Sequence, residues 1–265
     1  MINDEIKNTM IKNTDSIINV NFSYLKRTLF FALFLLFSNY TFSQNFPKQV
    51  KLIEDFVPKG WKVIYHTQGD LNKDQLDDQV VIIEDTNPKN FRKNENFGSD
   101  QLNLNPRIIL VFFKNKNQGY TLVAKNNKGF IPTENSEMNP CLEDPLLETG
   151  GISIEKGLLK ISFRYWLSCG SWFVNNADYT FRFQNNRFEL IGFEHSEFHR
   201  ATGEESSTSI NFSTRKKSET TGGSMSDDHP GNEKTVWSTI KPKKIYDLQN
   251  MVDEDYFEIL GIERN

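Results

Sequence analysis

The feature that most constrains the fold is a series of short segments in which apolar and polar residues alternate. In Leu158–Tyr165 every second residue is apolar, and charged or hydroxyl residues lie between them. This period of two puts the apolar side chains on one face of a β-strand. Tyr179–Phe183 and Arg187–Phe193 repeat the pattern on either side of Asn185-Asn186, a pair suited to a two-residue turn. The sequence therefore predicts a mainly β protein of α+β character, built as an antiparallel sheet of hairpins.

The remaining segments predict further strands and two short helices. The strands are Trp61–His66, Gln79–Glu84, Arg107–Phe113, Tyr120–Lys125, Ile152–Glu155, a polar hairpin at Ile210–Phe212 and Ser218–Thr221, and Val236–Ile245. Pro88–Asn105 is polar and predicts a long loop. Pro47 suits the first position of a helix, and the apolar residues of Pro47–Val57 recur with helical spacing. The segment therefore predicts an N-terminal helix. Leu248–Leu260 predicts a weaker C-terminal helix.

A positively charged and then apolar segment predicts export. Lys26 and Arg27 precede Thr28–Phe37, which has no charged residue, and small residues precede an expected cleavage after Ser43. The apolar core is shorter than the roughly 20 residues of a membrane-spanning helix. The alternatives are an uncleaved anchor or a buried core helix. No Cys directly follows the apolar core to carry a lipid anchor. We therefore expect a secreted or periplasmic protein with no stable membrane anchor after cleavage.

Composition sets the predicted organisation. We expect a leader and signal peptide at 1–43, a β-rich domain at 44–200, and a polar C-terminal extension at 201–265 with a hairpin, a flexible segment and a short helix. The 22 Phe residues supply core material. The net charge of −4 argues against nucleic acid as a partner, because a nucleic-acid-binding surface needs an excess of basic residues.

The chain has two cysteines, Cys141 and Cys169, both in the part predicted to be exported. In an oxidising compartment such a pair predicts a disulfide. The competing interpretations are two buried free thiols, or part of a metal site whose other ligands lie elsewhere.

One acidic segment carries a specific chemical signal. Counted from Asp70, oxygen-bearing side chains fall at positions 1, 3, 5 and 9, which are Asp70, Asn72, Asp74 and Asp78, and Leu76 offers a carbonyl at position 7. Alternate residues of a coiled loop point inward and supply the several oxygens that Ca²⁺ requires. These five residues are the predicted calcium ligands. The alternative is a solvated acidic turn, since Asp and Asn also favour turns.

The loop departs from a helix–loop–helix calcium site. Position 6, usually Gly, is Gln75, and position 12, usually a bidentate Glu, is Val81. The segment Gly69–Asp78 followed by Val80–Ile83 instead resembles the calcium-loop motif of FG-GAP/VCBS-type repeats, present here as a single copy. That resemblance implies a calcium-binding hairpin of an extracellular protein. The wider layout, Phe56–Trp61 before the loop and Gly150–Ile154 after it, is similar to uncharacterised secreted proteins of Bacteroidetes type and implies no activity.

Other residue groups give weaker signals. His195 and His199 are four residues apart but follow a strand, which favours solvated loop residues over a metal pair. Ser168–Ser171 lacks the spacing of a nucleophile elbow. The aromatic residues around Cys169, which are Tyr165, Trp166, Trp172 and Phe173, are expected mainly to pack in the core, with stacking on a sugar or protein as the alternative.

These observations predict a secreted or periplasmic, non-enzymatic module that calcium stabilises and that binds a protein or glycan partner. The alternative is an exported hydrolase whose site would assemble from the dispersed carboxylates Glu143, Asp144, Glu194 and Glu197. A third hypothesis is an interaction protein that neutralises or carries one specific partner.

Overall fold

The structure is a computed structural model that describes residues 46–117, 119–147, 151–225 and 232–262. The predicted leader and signal peptide (1–43), and residues 226–231 of the predicted flexible segment, lie outside these ranges. The strands are β1 (Gln49–Val50), β2 (Trp61–Gly69), β3 (Asp78–Asp85), β4 (Phe91–Lys93), β5 (Gln101–Asn103), β6 (Arg107–Asn115), β7 (Gly119–Asn126), β8 (Ile152–Glu155), β9 (Leu158–Trp166), β10 (Phe173–Gln184), β11 (Arg187–His199), β12 (Glu204–Asn211), β13 (Lys216–Ser224) and β14 (Lys234–Thr239). Two 3-10 turns, Ile53–Phe56 and Pro88–Asn90, and a short helix, α1 (Asp255–Leu260), complete the described elements.

Two antiparallel sheets form the body of the described residues. The first has the strand order β1-β7-β6-β3-β2, and the second runs β14-β13-β12-β11-β10-β9-β8 without a crossover. A small third ladder joins β4 to β5 within the predicted loop Pro88–Asn105. The prediction of a mainly β fold built from antiparallel hairpins is therefore confirmed.

The main core lies between the two sheets. Apolar side chains of the five-stranded sheet, such as Ile82 and Val111, belong to one buried cluster with Phe181 and Phe193 of the seven-stranded sheet. A second cluster covers the opposite face of the five-stranded sheet and includes Phe56 and residues of β3 and β6. Strand β3 is consequently buried on both faces, which explains its continuous run of apolar residues.

The two sheets approach most closely where β2 ends and β8 begins. A Cβ atom added to Gly69 would lie 2.8 Å from Cγ2 of Ile154, and one added to Gly151 would lie 2.3 Å from Cε2 of Tyr65. Gly151 also has a φ of 64°, a backbone conformation that glycine adopts without strain. Glycine is therefore required at both positions for the packing seen here.

The predicted pair of flanking helices is not borne out. Pro47–Val57 forms β1 and a 3-10 turn, because Val50 pairs with Tyr120 of β7 and Phe56 packs against Phe112 at 4.2 Å. An available sheet edge and a buried aromatic contact outweigh the helical spacing, since local propensity contributes little compared with tertiary packing.

At the C-terminal end, the helix is short for a similar reason. The residues before α1 lie against β11, where Tyr246 accepts a hydrogen bond from the Leu190 N–H and Leu248 donates to the Phe188 carbonyl. Helix α1 ends at Gly261, which has a left-handed conformation. Among the described residues no helix is long and apolar enough to cross a membrane.

A buried ion-pair network fixes the long connections beside the five-stranded sheet. The Arg107 guanidinium donates to Glu84 at 2.8 Å and, through two nitrogens, to Asp144 at 2.8 and 2.7 Å. The side chains of Arg107 and Glu84 are only 1% and 2% exposed. Bidentate pairing compensates the cost of removing these charges from water. The network thereby holds the connection that contains Cys141 against β6.

The predicted disulfide joins Cys141 to Cys169, with Cα atoms 5.3 Å apart, so that prediction is confirmed. Beside it, Leu142 forms a bridge with Leu167, and the Ser168 N–H donates to the Cys141 carbonyl at 2.8 Å. The bond fastens the long connection to the end of β9.

Candidate functional site

The predicted calcium loop connects β2 to β3 and is folded by its own side chains. The Asp70 carboxylate accepts hydrogen bonds from the N–H groups of Asp74 (3.1 Å) and Gln75 (2.9 Å). Asn72 accepts from the Asp74 N–H at 3.0 Å, and Asp74 accepts from the Leu76 N–H at 2.9 Å. Gln75, at the position usually held by Gly, has a φ of 69°. The loop thus adopts the sharp turn without a glycine and brings Asp70, Asn72 and Asp74 together.

Asp78, the remaining acidic residue of the predicted ligand set, connects the loop to the neighbouring strand through hydrogen bonds. It is buried at the start of β3, and its two oxygens accept hydrogen bonds from the N–H groups of Leu71 (2.8 Å) and Lys114 (3.0 Å). Burial raises the pKa of Asp78 to about 6, and the nearby charge of Asp74 acts in the same direction. Within the described ranges, no group of three or more His, Cys, Asp or Glu side chains is placed to hold a metal ion.

The aromatic residues around Cys169 divide between core and surface. Tyr165 is half-buried and packs against the main core, and Trp166 is also half-buried. Trp172 and Phe173, by contrast, are 63% and 45% exposed. We call Trp172 and Phe173 the aromatic platform. The expectation of core packing therefore fails for Trp172, in the turn between β9 and β10, and for Phe173, the first residue of β10.

Arg200 holds the platform in place. Its guanidinium lies over the rings of Trp166 (4.5 Å) and Trp172 (5.9 Å), and it donates hydrogen bonds to the carbonyls of Leu167 (3.0 Å) and Ser171. Its backbone N–H donates to the Trp172 carbonyl at 2.8 Å. Cation–π contacts and hydrogen bonds from one side chain thus bridge the turn. Together with the nearby disulfide, they make this exposed turn rigid.

An acidic cleft of about 530 Å³ adjoins the platform. Phe173 forms one wall. The polar side chains of the lining belong to Glu197 of β11, to Thr202, Glu204, Glu205 and Ser206 in and before β12, and to Ser224 of β13. Glu197 pairs with Ser206 across adjacent strands, so the position of these groups follows from the sheet register. The cleft combines an aromatic ring with carboxylates and hydroxyl groups, which suits a ligand with many hydroxyl groups.

Helix α1 packs against β9 and β11 through Tyr256. Tyr256 lies 6.1 Å from Tyr165 and 5.8 Å from His195, measured between ring centroids. Burial, with a contribution from the Glu197 carboxylate, raises the pKa of Tyr256 to about 12. The phenol therefore stays neutral at physiological pH.

The carboxylates of the hydrolase hypothesis do not form one cluster. Asp144 is engaged with Arg107, as described above. Glu194 accepts from the Ser209 hydroxyl at 2.7 Å, and it lies three residues from Glu197 on β11, so the two side chains point to opposite faces. Of that set only Glu197 lines the acidic cleft. The sequence analysis did not identify the neighbouring Glu204 and Glu205 as site residues. The available signal was an acidic pair directly before a Ser-rich segment.

The two histidines lie in β11 rather than in a loop. His195 packs against Tyr256, and burial lowers its pKa. His199 packs 4.8 Å from Phe173 and accepts a hydrogen bond from the Thr202 N–H at 3.1 Å. Four residues along a strand span about 13 Å, so the pair does not converge on one metal ion.

Comparison with known proteins returns no matching family model, no matching curated protein and no matching solved structure. We therefore infer a function from the geometry of the site.

Proposed function

We propose that the protein is an exported, non-enzymatic binding module that recognises a glycan through the aromatic platform and the acidic cleft. The observation that carries the proposal is the rigid exposure of Trp172 and Phe173 next to a cleft lined by carboxylates and hydroxyl groups. An apolar sugar face stacks on an aromatic ring, while sugar hydroxyl groups donate to carboxylates. Both kinds of contact are available within one surface.

Two features favour binding over catalysis. Hydrolysis of a glycosidic bond requires two carboxyl groups on either side of it, one of which is kept protonated by a raised pKa. Of the four carboxylates of the hydrolase hypothesis only Glu197 lines the described cleft, and Glu194, three residues away on β11, points to the opposite face of the strand. The platform is also held by a disulfide and by Arg200, as expected for a preorganised binding surface, which loses little entropy on association.

Screening the purified exported chain against immobilised neutral and acidic glycans tests the proposal. The proposal expects saturable binding to one glycan class and no release of reducing ends on prolonged incubation. Release of reducing ends would favour the hydrolase hypothesis. Binding to basic peptides with no glycan retained would instead favour a protein partner, since the cleft carboxylates also suit cationic side chains.

The calcium loop is the second part of the proposed function. Asp70, Asn72 and Asp74 already lie together in a preformed turn, and a bound cation would relieve the repulsion between Asp74 and Asp78. We expect millimolar Ca²⁺ to raise the melting temperature of the wild type, because a ligand that binds only the folded state stabilises it.

A matched pair of variants tests the ligand set. Asp74→Ala should abolish the effect of Ca²⁺ on the melting temperature. Asp77→Ala removes an exposed carboxylate from the same loop that is outside the predicted ligand set, and it should leave the effect intact. Equal melting temperatures of the wild type with Ca²⁺ and with chelator would remove calcium from the proposal.

A further inference from the structure

A second cleft, of about 550 Å³, lies at the other end of the seven-stranded sheet. The strand β10 runs from Phe173, in the acidic cleft, to Gln184, in this one. The lining of this second cleft contains four basic residues, Arg215, Lys241, Lys243 and Lys244, and we call it the basic cleft.

The backbone of the basic cleft is held on two sides. Arg215 lies in the turn between β12 and β13, and its carbonyl accepts the Ile240 N–H at 3.0 Å. Six residues after Ile240, the Tyr246 carbonyl accepts a hydrogen bond from the Leu190 N–H of β11 at 2.9 Å. The Tyr246 ring also packs 5.6 Å from that of Phe212. The segment with the three lysines therefore lies between two fixed points.

Most of the positive charge in the basic cleft is not neutralised. Lys244 pairs with Asp255 and Glu258 of α1. Arg215, Lys241 and Lys243 take part in no ion pair among the described residues. The chain as a whole has a net charge of −4, whereas this concave surface carries three cations without an ion-pair partner among the described residues. The local electrostatic potential is therefore expected to be positive.

The one carboxylate in the lining does not cancel this charge. Glu189 is buried, and its oxygens accept hydrogen bonds from Asn185 (3.1 Å) and Arg187 (2.8 Å), with a further one from Gln184. Those hydrogen bonds outweigh the effect of burial and lower the pKa of Glu189. Its acceptor capacity is thus used by residues of the β10–β11 turn.

Apart from the polar residues Gln184 and Ser213, most of the remaining lining is apolar. Leu190, Ile191, Phe212, Pro242 and Ile245 lie alongside the cations, and Ile245 is 59% exposed. A cleft of this size fits a ligand of drug-like dimensions. Its surface therefore offers an apolar wall together with an anion-attracting rim.

We propose that the basic cleft binds a phosphate or sulfate monoester carried on an apolar group, with Arg215, Lys241 and Lys243 contacting the oxyanion and the Phe212–Tyr246 wall contacting the apolar part. This site is independent of the glycan-binding surface. The guanidinium of Arg215 can pair with two oxyanion oxygens, and the lysines add point charges.

Titration calorimetry of the full exported chain with 1-naphthyl phosphate and 1-naphthyl sulfate tests the proposal, with 1-naphthol and inorganic phosphate as partial ligands. We expect saturable binding of the esters and at least about tenfold weaker binding of either partial ligand. Equal affinity for naphthol would overturn the proposal, as would the absence of saturation by about 10 mM ester.

Charge-matched variants distinguish binding at the basic cleft from non-specific electrostatic attraction of the ester to the protein. Lys241→Gln/Lys243→Gln should raise the dissociation constant of the ester by about tenfold or more. Lys59→Gln/Lys89→Gln removes two exposed lysines elsewhere and should change it by less than about twofold. An equal loss in the two variants would overturn the proposal. Sedimentation with phosphatidic acid vesicles, compared with phosphatidylcholine vesicles, then tells a lipid headgroup from a soluble ester.

Discussion

Removing the disulfide provides a quantitative test of how the platform is held. Cys141 and Cys169 are separated by 28 residues. On the chain-entropy model, a closed loop of that length stabilises the folded state by about 3.6 kcal/mol at 25 °C. The double variant Cys141→Ser/Cys169→Ser should therefore lose about 3–4 kcal/mol of unfolding free energy, because its unfolded chain regains that freedom.

Urea denaturation followed by far-UV circular dichroism measures this loss. The dependence of the free energy on urea should also steepen, since an unfolded chain without the crosslink exposes more surface. Ser168→Ala is the matched control, because it removes only the hydrogen bond from the Ser168 hydroxyl to the Cys141 carbonyl, at 3.1 Å. A loss of less than about 1 kcal/mol in the double variant would refute the reasoning and show that the other contacts of the loop suffice.

Two further predictions concern Asp144, which is partly buried, and Asp78, which is buried. Asp144→Ala should lower the unfolding free energy by about 3–5 kcal/mol, because it leaves the Arg107 guanidinium buried without its bidentate partner; Glu95→Ala, which breaks an exposed ion pair with Lys93, should leave it unchanged in the same denaturation assay. Because burial raises the pKa of Asp78 from 3.8 to about 6, the folded state holds more protons than the unfolded state between these pH values. The stabilising contribution of Asp78 is therefore present at low pH and lost as the pH rises through about 6. Unfolding free energies measured in chelator at pH 4.5 and 7.5 should show a change with pH that is more negative in the wild type than in Asp78→Asn, and equal changes in the two proteins would contradict the prediction.

Local pattern predicted much of the fold. The alternation in Leu158–Tyr165 and the Asn185-Asn186 turn locate β9, β10 and β11, because each strand buries one face and hairpin partners are neighbours in sequence. The N-terminal helix was predicted wrongly, since its apolar spacing fits a helix but β7 offers unpaired backbone groups. The sequence of residues 47–57 by itself gives no indication that this sheet edge is available.

The candidate site was less visible in the sequence than the fold. The disulfide was predictable from the sequence, because a chain with two cysteines has only one possible intramolecular pairing. The exposure of Trp172, by contrast, depends on Arg200, which the return of β11 brings to the turn from 28 positions away. The acidic cleft depends on the register of β11 and β12, which no single segment encodes.

The central claim is that the exposed aromatic platform binds a glycan, and calorimetric titration of the best-binding glycan into three proteins tests it most directly. Trp172→Ala should weaken binding by about tenfold, corresponding to the loss of one stacked aromatic ring. Trp237→Ala removes a ring of similar exposure, 69% against 63%, from β14, which contributes no residue to the aromatic platform or to the cleft lining, and it should bind like the wild type. Unchanged affinity in Trp172→Ala, or an equal loss in both variants, would contradict the account.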